Sequence, residues 1–156
     1  MMSLPFSIRG VRTGFVDLEG VVRLEDRDLC LEFRTTMFSG HLKSKPKEVR
    51  LPLDELEEAV FRHWLCIGML KLRARRLEVF SQVPGNEGSE LRLRCRREYW
   101  EVAQELASRL NMRTLQQQLQ ALVAETDRAT QRLPQPSASA EPQGAKREVR
   151  EKQPGT

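Results

Sequence analysis

Apolar and polar residues alternate in several short segments of this chain, and this period of two is the feature that most restricts its fold. Residues 15–25 and 28–36 both show it, with apolar members Val16, Leu18, Val22, Leu24, Leu29, Leu31 and Phe33. Because side chains of a β-strand point alternately to the two faces of a sheet, each segment predicts a strand with one buried face. The polar turn "EDRD" between them predicts a hairpin, with Cys30 facing outward and a bend or bulge at Gly20.

Five further segments have strand patterns between turn signals, and one segment has a different period. The additional predicted strands are residues 48–53, 58–64, 69–75, 77–83 and 89–96. After Glu98 the apolar residues are spaced by three and four positions, which predicts an amphipathic helix through Leu110. The sequence therefore predicts a mainly β domain of seven strands that is followed by a single helix.

The chain after this helix divides into two regions of different composition. Asn111 is expected to end the first helix, and Thr114 with Gln117 has the capping-box spacing that starts another. Beyond residue 132, four prolines and very few apolar side chains predict a disordered tail, because so little burial cannot offset the entropy of ordering. The predicted organisation is a strand-rich domain over 1–110, a helical extension over 111–132 and a tail over 133–156.

Four stretches of the chain resemble the pleckstrin-homology superfold, especially its bacterial PH-like and GRAM-like members. They are the hairpin "GVVRLEDRDLCLEF", the segments "VRLPLDELEEA" and "VPGNEGSELRLRC", and the helix with Trp100 near its start. The resemblance implies a seven-stranded β-sandwich or barrel, four strands against three, capped by the C-terminal α-helix. It also implies a binding module without catalysis, although this superfold carries many functions.

Two of the predicted strands, "LKLRAR" and "LRLRCR", place cations on alternate positions. The candidate face for an anionic partner comprises Lys71, Arg73, Arg75, Arg92, Arg94 and Arg96. Residues 66–97 hold eight basic and three acidic residues, whereas residues 16–33 hold two basic and six acidic residues, so the domain is expected to be electrically lopsided. The alternative interpretation is a solvated outer face that Glu78 and Glu90 partly neutralise.

The loop "TMFSGHLKSKPK" combines apolar and basic residues and is a candidate for membrane contact. Its candidate residues are Met37, Phe38, Leu42, Lys43, Lys45 and Lys47. Apolar loop tips flanked by lysine suit insertion at a lipid interface, but Phe38 and Leu42 can also fold back onto the domain. Many lipid-binding PH domains carry basic residues in their first hairpin. The acidic "EDRD" turn, taken as that hairpin here, argues against phosphoinositide recognition.

The second predicted helix carries a heptad pattern. Its apolar seam begins with Leu115, Leu119 and Leu122 and continues weakly through Thr126, Ala129 and Leu133. A free helix of this length is marginally stable in water, so the seam needs a partner. That partner is either the chain's own domain or a second copy, which gives a possible homodimer through residues 112–133.

No catalytic, cofactor-binding or metal-binding residue is predicted. The three cysteines form no C-x-x-C pair, and neither His41 nor His63 lies in a recognisable nucleophile motif. The first residues lack the pattern of a signal peptide, and "WLCIGML" is too short to cross a bilayer. These observations favour a cytoplasmic protein.

The leading hypothesis from the sequence is a non-catalytic adaptor that acts through protein–protein contact. The runner-up is a peripheral binder of anionic membrane surfaces, through the lysine loop and the arginine face. Nucleic-acid binding by the basic sheet face is the weakest alternative. The net charge is only +4, and neither basic strand contains an aromatic residue on which a base could stack.

Overall fold

The computed structural model describes residues 2–11, 14–37 and 40–134 and contains eight strands and one long helix. The strands are β1 (Met2–Val11), β2 (Val16–Leu24), β3 (Asp28–Met37), β4 (Leu42–Lys43), β5 (Lys47–Pro52), β6 (Leu56–Trp64), β7 (Ile67–Ala74) and β8 (Glu90–Cys95), and the helix is α1 (Trp100–Arg132). Short 3-10 turns precede β6 and α1. The prediction of a mainly β fold with one C-terminal helix is confirmed.

All strand pairs are antiparallel, and they form one continuous sheet. Its order is β4-β3-β2-β1-β8-β7-β6. The strand β5 also pairs with β3, along a different part of β3 from the part that pairs with β4. The two halves, β1–β5 and β6–β8, meet where Ser7 of β1 is in register with Arg94 of β8. The sheet does not close, because β6 has only β7 as a neighbour among the described strands. The two halves are therefore joined by a single register pair between β1 and β8.

The first strand, β1, was not predicted, although Leu4, Phe6 and Ile8 alternate and are buried. Pro5 disfavours a strand interior because proline has no amide hydrogen for the ladder. In this sheet only Ser7 of β1 is in register with β8, so the missing amide of Pro5 falls where β1 has no second partner. Because β1 precedes β2, "EDRD" is the turn of the second hairpin. The acidity of this turn is therefore no argument against lipid binding at the first hairpin.

The predicted strand over residues 77–83 is wrong. This segment forms consecutive turns, in which Ser81 and Val83 donate backbone hydrogen bonds to the carbonyls of Glu78 and Phe80. Phe80 and Val83 are both buried, and their spacing of three positions suits a turn instead of a strand.

Two expectations about the first predicted hairpin need correction. Cys30 faces outward, in register with Arg23 and Arg50, but it is fully buried, so long neighbouring side chains cover it. No register shift occurs at Gly20; the irregularity lies in β1, between Ile8 and Val11. Gly20 is needed for a close approach, because a Cβ atom there would lie 2.3 Å from the backbone oxygen of Glu32.

The predicted helix break at Asn111 is also wrong, since α1 continues through it. The Asn111 side chain accepts a hydrogen bond from the backbone nitrogen of Ala59 at 2.8 Å and donates one to the Ala59 oxygen at 2.7 Å. Thr114 is buried and donates to the carbonyl of Leu110 within the helix. Asn111 and Thr114 therefore make their contacts from within a continuous helix, and neither of them ends or starts one.

The core is a single cluster that unites both halves of the sheet with α1. Leu72, Leu91, Leu93 and Leu106 lie in this cluster and are all fully buried. The chain divides into two compact units, the first ending at Ala121 and the second beginning at Leu122. Residues 122–132 of the second unit are helical. The domain boundaries named above stay predictions, and residues 135–156 of the predicted tail lie outside the described residues.

Candidate functional site

The outer face of β7 and β8 carries most of the predicted cations. Lys71 lies directly opposite Arg92, and Arg94 lies opposite Met69, so the cations of both strands share this face. Their neighbours Leu70, Leu72, Leu91 and Leu93 are fully buried, as the alternation predicted. Arg75 and Arg96 follow the ends of their strands and are exposed. The structure therefore brings four of the six cations together and places two at the margins.

Three of these cations are paired with carboxylates. Lys71 lies 2.8 Å from Glu90, Arg92 lies 3.1 Å from Glu87, and Arg73 lies 3.4 Å from Glu57. The hydrogen bond from Lys71 lowers the pKa of the Glu90 carboxyl. Exposed pairs of this kind contribute little to stability, but they do reduce the positive charge available to a ligand. Glu90 therefore neutralises part of the face, whereas Glu78 forms no ion pair within the described residues.

The unpaired part of the face opens into a groove of about 770 Å³. The groove is lined by four arginines, Arg9, Arg34, Arg94 and Arg96. None of them has a carboxylate within 4 Å in the described part of the chain. Three carboxylates also line the groove: Asp17, Glu19 and Glu32. Its charge is therefore mixed, and the face is less uniformly basic than the sequence pattern indicated.

The predicted membrane loop lies at the end of the sheet where β3 meets β4. Met37 pairs with Leu42 in register, and both are exposed, as are Lys43, Lys45 and Lys47. Phe38, which belongs to the same prediction, lies outside the described residues. Phe15 precedes Val16, which pairs with Met37, and Phe15 is also exposed. The apolar residues of the loop thus have a neighbour that the sequence did not assign to them.

The helix seam is uncovered in the described structure. Leu115 and Leu119 are 56% and 53% exposed, and Met112 beside them is also exposed. Leu122, at the start of the second unit, is 58% exposed. The opposite side of the first helical turns is buried through Leu106 and Leu110. The prediction that the seam docks on its own domain or on a second chain stays a prediction.

A further apolar surface, which the sequence analysis missed, lies at the turn of the β6–β7 hairpin. We name residues 64–67 the β6–β7 tip. Trp64 pairs with Ile67, and only Leu65 and Cys66 lie between them. Trp64 and Leu65 are each 80% exposed, and Ile67 is 42% exposed. The available signal was a two-residue turn of "LC", where glycine, asparagine or aspartate is usual.

An aromatic stack lies directly beside the β6–β7 tip. His63 stacks on Trp100 with ring centroids 4.4 Å apart, and Arg97 lies over the same indole at 5.9 Å. A Cβ atom at position 68 would lie 2.3 Å from Nε1 of Trp100, so only glycine permits this approach. His63, one of the two histidines considered for catalysis, is therefore an exposed packing residue beneath the tip.

The three cysteines are free and differ in exposure. Cys30 and Cys95 are buried, whereas Cys66, in the β6–β7 tip, is exposed. Burial raises the pKa of the Cys95 thiol to about 11 and also raises the pKa of the Cys30 thiol. Because the thiolate is the reactive species, Cys66 is expected to be the accessible nucleophile of the three.

No helix in the described ranges has both the length and the apolar character required to cross a membrane. Within those same ranges, no three histidine, cysteine, aspartate or glutamate side chains are grouped so that they could hold a metal ion. Comparison of the chain with protein-family models, with curated proteins and with solved structures gave no match.

Proposed function

We propose that the protein is a non-catalytic binding module that acts as an adaptor through protein–protein contact. The observation that carries this proposal is the apolar face of α1. Met112, Leu115 and Leu119 are exposed, although each lies within three turns of the buried Leu110. An apolar stripe along a helix that no described residue covers is a surface suited to a partner helix or groove.

The spacing of this stripe favours a helix as the partner. Leu115, Leu119 and Leu122 follow one another at four and three positions, which is the spacing of a helix–helix seam. The polar side chains beside them are largely uncharged, because positions 116–118 and 120 are all glutamine. Apolar contact is therefore the main recognition that this face offers, and a second copy of the chain is one candidate for the partner.

Replacement of Leu115, Leu119 and Leu122 together by serine tests this proposal. If the partner is a second copy, light scattering should report a dimer for the unchanged full chain and a monomer for the triple variant. For a different partner, capture from native lysate should be lost in the triple variant and kept in Leu77→Ser. Leu77 is an exposed leucine outside the helix, so it controls for a general loss of apolar surface. A monomer whose captured partners do not depend on the three leucines would contradict the proposal.

Catalysis is not part of the proposal. Neither histidine makes a hydrogen bond or an ion pair within the described residues, and His63 is stacked on Trp100. The resemblance to the pleckstrin-homology superfold belongs to the same proposal. It is supported by four paired strands, β1, β2, β3 and β5, followed by β6–β8 and the helix. An unpaired exposed thiol at Cys66 supports a reducing, cytoplasmic location.

A second candidate function is peripheral binding to anionic membranes. The observation in its favour is that Phe15, Met37 and Leu42 are exposed and adjoin through the register of β2, β3 and β4. Lys43 and Lys45 are exposed in the same loop and could interact with lipid phosphates. The basic sheet face is the other surface for such a membrane, and also for nucleic acid, although three of its cations are ion-paired.

Two charge-reversal pairs separate these surfaces. Lys43→Glu with Lys45→Glu alters the loop, and Arg73→Glu with Arg94→Glu alters the sheet face. Binding to anionic vesicles should weaken with salt, since exposed charges are screened over about 10 Å at 0.1 M. Loss in the loop variant alone assigns the loop, and loss in the sheet variant alone assigns the face. Binding of the wild type that is unaffected by salt would contradict both.

A further inference from the structure

The β6–β7 tip exposes more apolar surface than a hairpin turn requires. Trp64, Leu65 and Ile67 stand at the end of a two-residue turn, and burial of any one of them would be favourable. Turns of this length normally contain glycine, asparagine or aspartate, which accept the required backbone angles and water. The tip therefore combines an exposed position with residues that are poorly suited to one.

The backbone of Leu65 sharpens this contrast. Its φ angle is +54°, and it is the only non-glycine residue with positive φ in the described structure. A branched side chain is unfavourable in this left-handed region, because its Cβ atom lies too close to the following carbonyl oxygen. The side chain is nevertheless 80% exposed, so packing within the domain does not repay the strain. A leucine that is exposed and has an unfavourable backbone angle indicates a role in binding, and not in stabilising the fold.

Cations without carboxylate partners lie near the tip. Arg62 pairs with Met69, which is two residues from Ile67, and Arg94 pairs with Met69 from the other side. Arg96 directly follows Cys95, the partner of Gly68. Arg97 lies over Trp100, whose ring stacks on His63 beside the tip. None of these four arginines has a carboxylate within 4 Å in the part of the chain described. Residues 59–77 also contain no acidic residue.

We propose that the β6–β7 tip is a membrane-contacting element that inserts into the surface of a bilayer containing anionic phospholipid. Trp64, Leu65 and Ile67 enter the boundary between headgroups and acyl chains, where tryptophan is favoured. Arg62 and Arg96 bind the phosphates around it, because guanidinium groups match phosphate geometry. This inference rests on the second candidate function and moves its contact surface from the lysine loop to the tip.

The size and shape of the tip favour a bilayer over a protein partner. A stable protein interface buries about 800 Å² on each side, with an apolar centre. Here three apolar side chains on a narrow turn are bordered directly by arginines, so the apolar area is small and convex. A soft anionic surface can accept both parts of such a projection at once. The stack of His63 on Trp100, which packs against Gly68, holds the strand pair directly behind the tip.

Cys66 provides a native probe at the centre of the tip. It is exposed, whereas Cys30 and Cys95 are buried and have raised thiol pKa values, so a thiol-reactive, environment-sensitive dye should label Cys66 selectively. Vesicles of phosphatidylcholine with one-quarter phosphatidylserine should shift the dye emission to the blue, and phosphatidylcholine alone should not. Sedimentation of the unlabelled full chain with the same vesicles checks that the dye does not cause binding.

Leu65→Ser should weaken sedimentation by about tenfold or more, because a leucine is lost from the inserted surface. Serine keeps the same strained backbone angle, so the fold should not respond. Leu77→Ser is the matched control, since Leu77 is 69% exposed and lies beyond the other end of β7. Arg62→Gln with Arg96→Gln should abolish the preference for anionic vesicles and leave the circular dichroism spectrum unchanged.

The outcomes separate the tip from the membrane function as a whole. Loss in Leu65→Ser with retention in Leu77→Ser supports the proposal. Equal sedimentation of Leu65→Ser and the wild type, with loss in Leu42→Ser, overturns the tip and keeps membrane binding by the loop. Failure of the wild type to sediment with either vesicle overturns both. Equal binding to both vesicle types overturns the role given to the arginines.

Discussion

The turn between β2 and β3 and the turn between β6 and β7 perform the same structural task in opposite ways. The first consists of charged residues from Glu25 to Asp28, and its backbone is held by α1, because Arg113 donates to the carbonyls of Glu25 at 2.6 Å and Asp26 at 3.2 Å. The second is the β6–β7 tip, whose apolar side chains are exposed. The chain can therefore build a polar, anchored turn, and the apolar one is not a requirement of the fold.

This difference bears on how an exposed apolar residue should be interpreted. Scattered apolar residues are normal on protein surfaces and need no explanation. At the β6–β7 tip three of them adjoin, one has a strained backbone, and the polar alternative is present elsewhere in the same sheet. The apolar composition of the β6–β7 tip is therefore explained by an interaction with something outside the chain, as proposed above.

The largest expected effect tests whether the two halves of the sheet, each of which carries one of these hairpins, are equally well packed. Leu31 of β3 and Leu93 of β8 are fully buried in the same core cluster. Leu31→Ala and Leu93→Ala should each lower the free energy of unfolding by about 2–5 kcal/mol, because each leaves a cavity. Urea denaturation measures both. A much smaller loss for one of them would show that its half of the sheet is loosely packed, and the two turns would then not be comparable.

A smaller effect is expected at the anchored turn. Arg113→Ala removes a charged donor from two backbone carbonyls and should destabilise the domain by about 1–3 kcal/mol. Arg109→Ala is the matched control. It removes an exposed pair with Glu105 one turn earlier on α1, which is worth about 0.5 kcal/mol or less. Equal melting temperatures for both variants would mean that the β2–β3 turn is not held by the helix.

The smallest effect, with the opposite sign, is expected at the tip. Leu65→Gly relieves the positive φ angle and loses little burial, so the free energy of unfolding should stay level or rise by up to about 1 kcal/mol. Leu77→Gly, at a residue without positive φ, should be slightly destabilising. If Leu65→Gly costs more than Leu77→Gly, then the Leu65 side chain stabilises the hairpin, and the contrast between the turns disappears.

The strands with clean alternation were predictable because facing follows directly from a period of two. The burial of Leu29, Leu31 and Leu93 is of this kind. Other features depend on contacts that a linear pattern does not contain. Whether Pro5 is tolerated depends on which part of β1 has a second neighbour, and the continuity of α1 through Asn111 depends on Ala59, 52 residues away.

The candidate surfaces were predictable to the same extent. Alternation gave the outward direction of the cations on β7 and β8, but not their pairing with Glu57 and Glu87, which the fold brings near. The β6–β7 tip was interpreted as an ordinary turn because its length suggested only a reversal of the chain. Its exposure and the positive φ of Leu65 are properties of the folded hairpin.

The contact between Asn111 and β6 has a consequence for association between molecules. β6 is the last strand of the sheet, and such a strand offers unpaired amides and carbonyls to the strands of other chains. The carboxamide of Asn111 satisfies both the donor and the acceptor of Ala59, as a neighbouring strand would. The helix thus blocks pairing by a foreign strand at Ala59, near the middle of this edge.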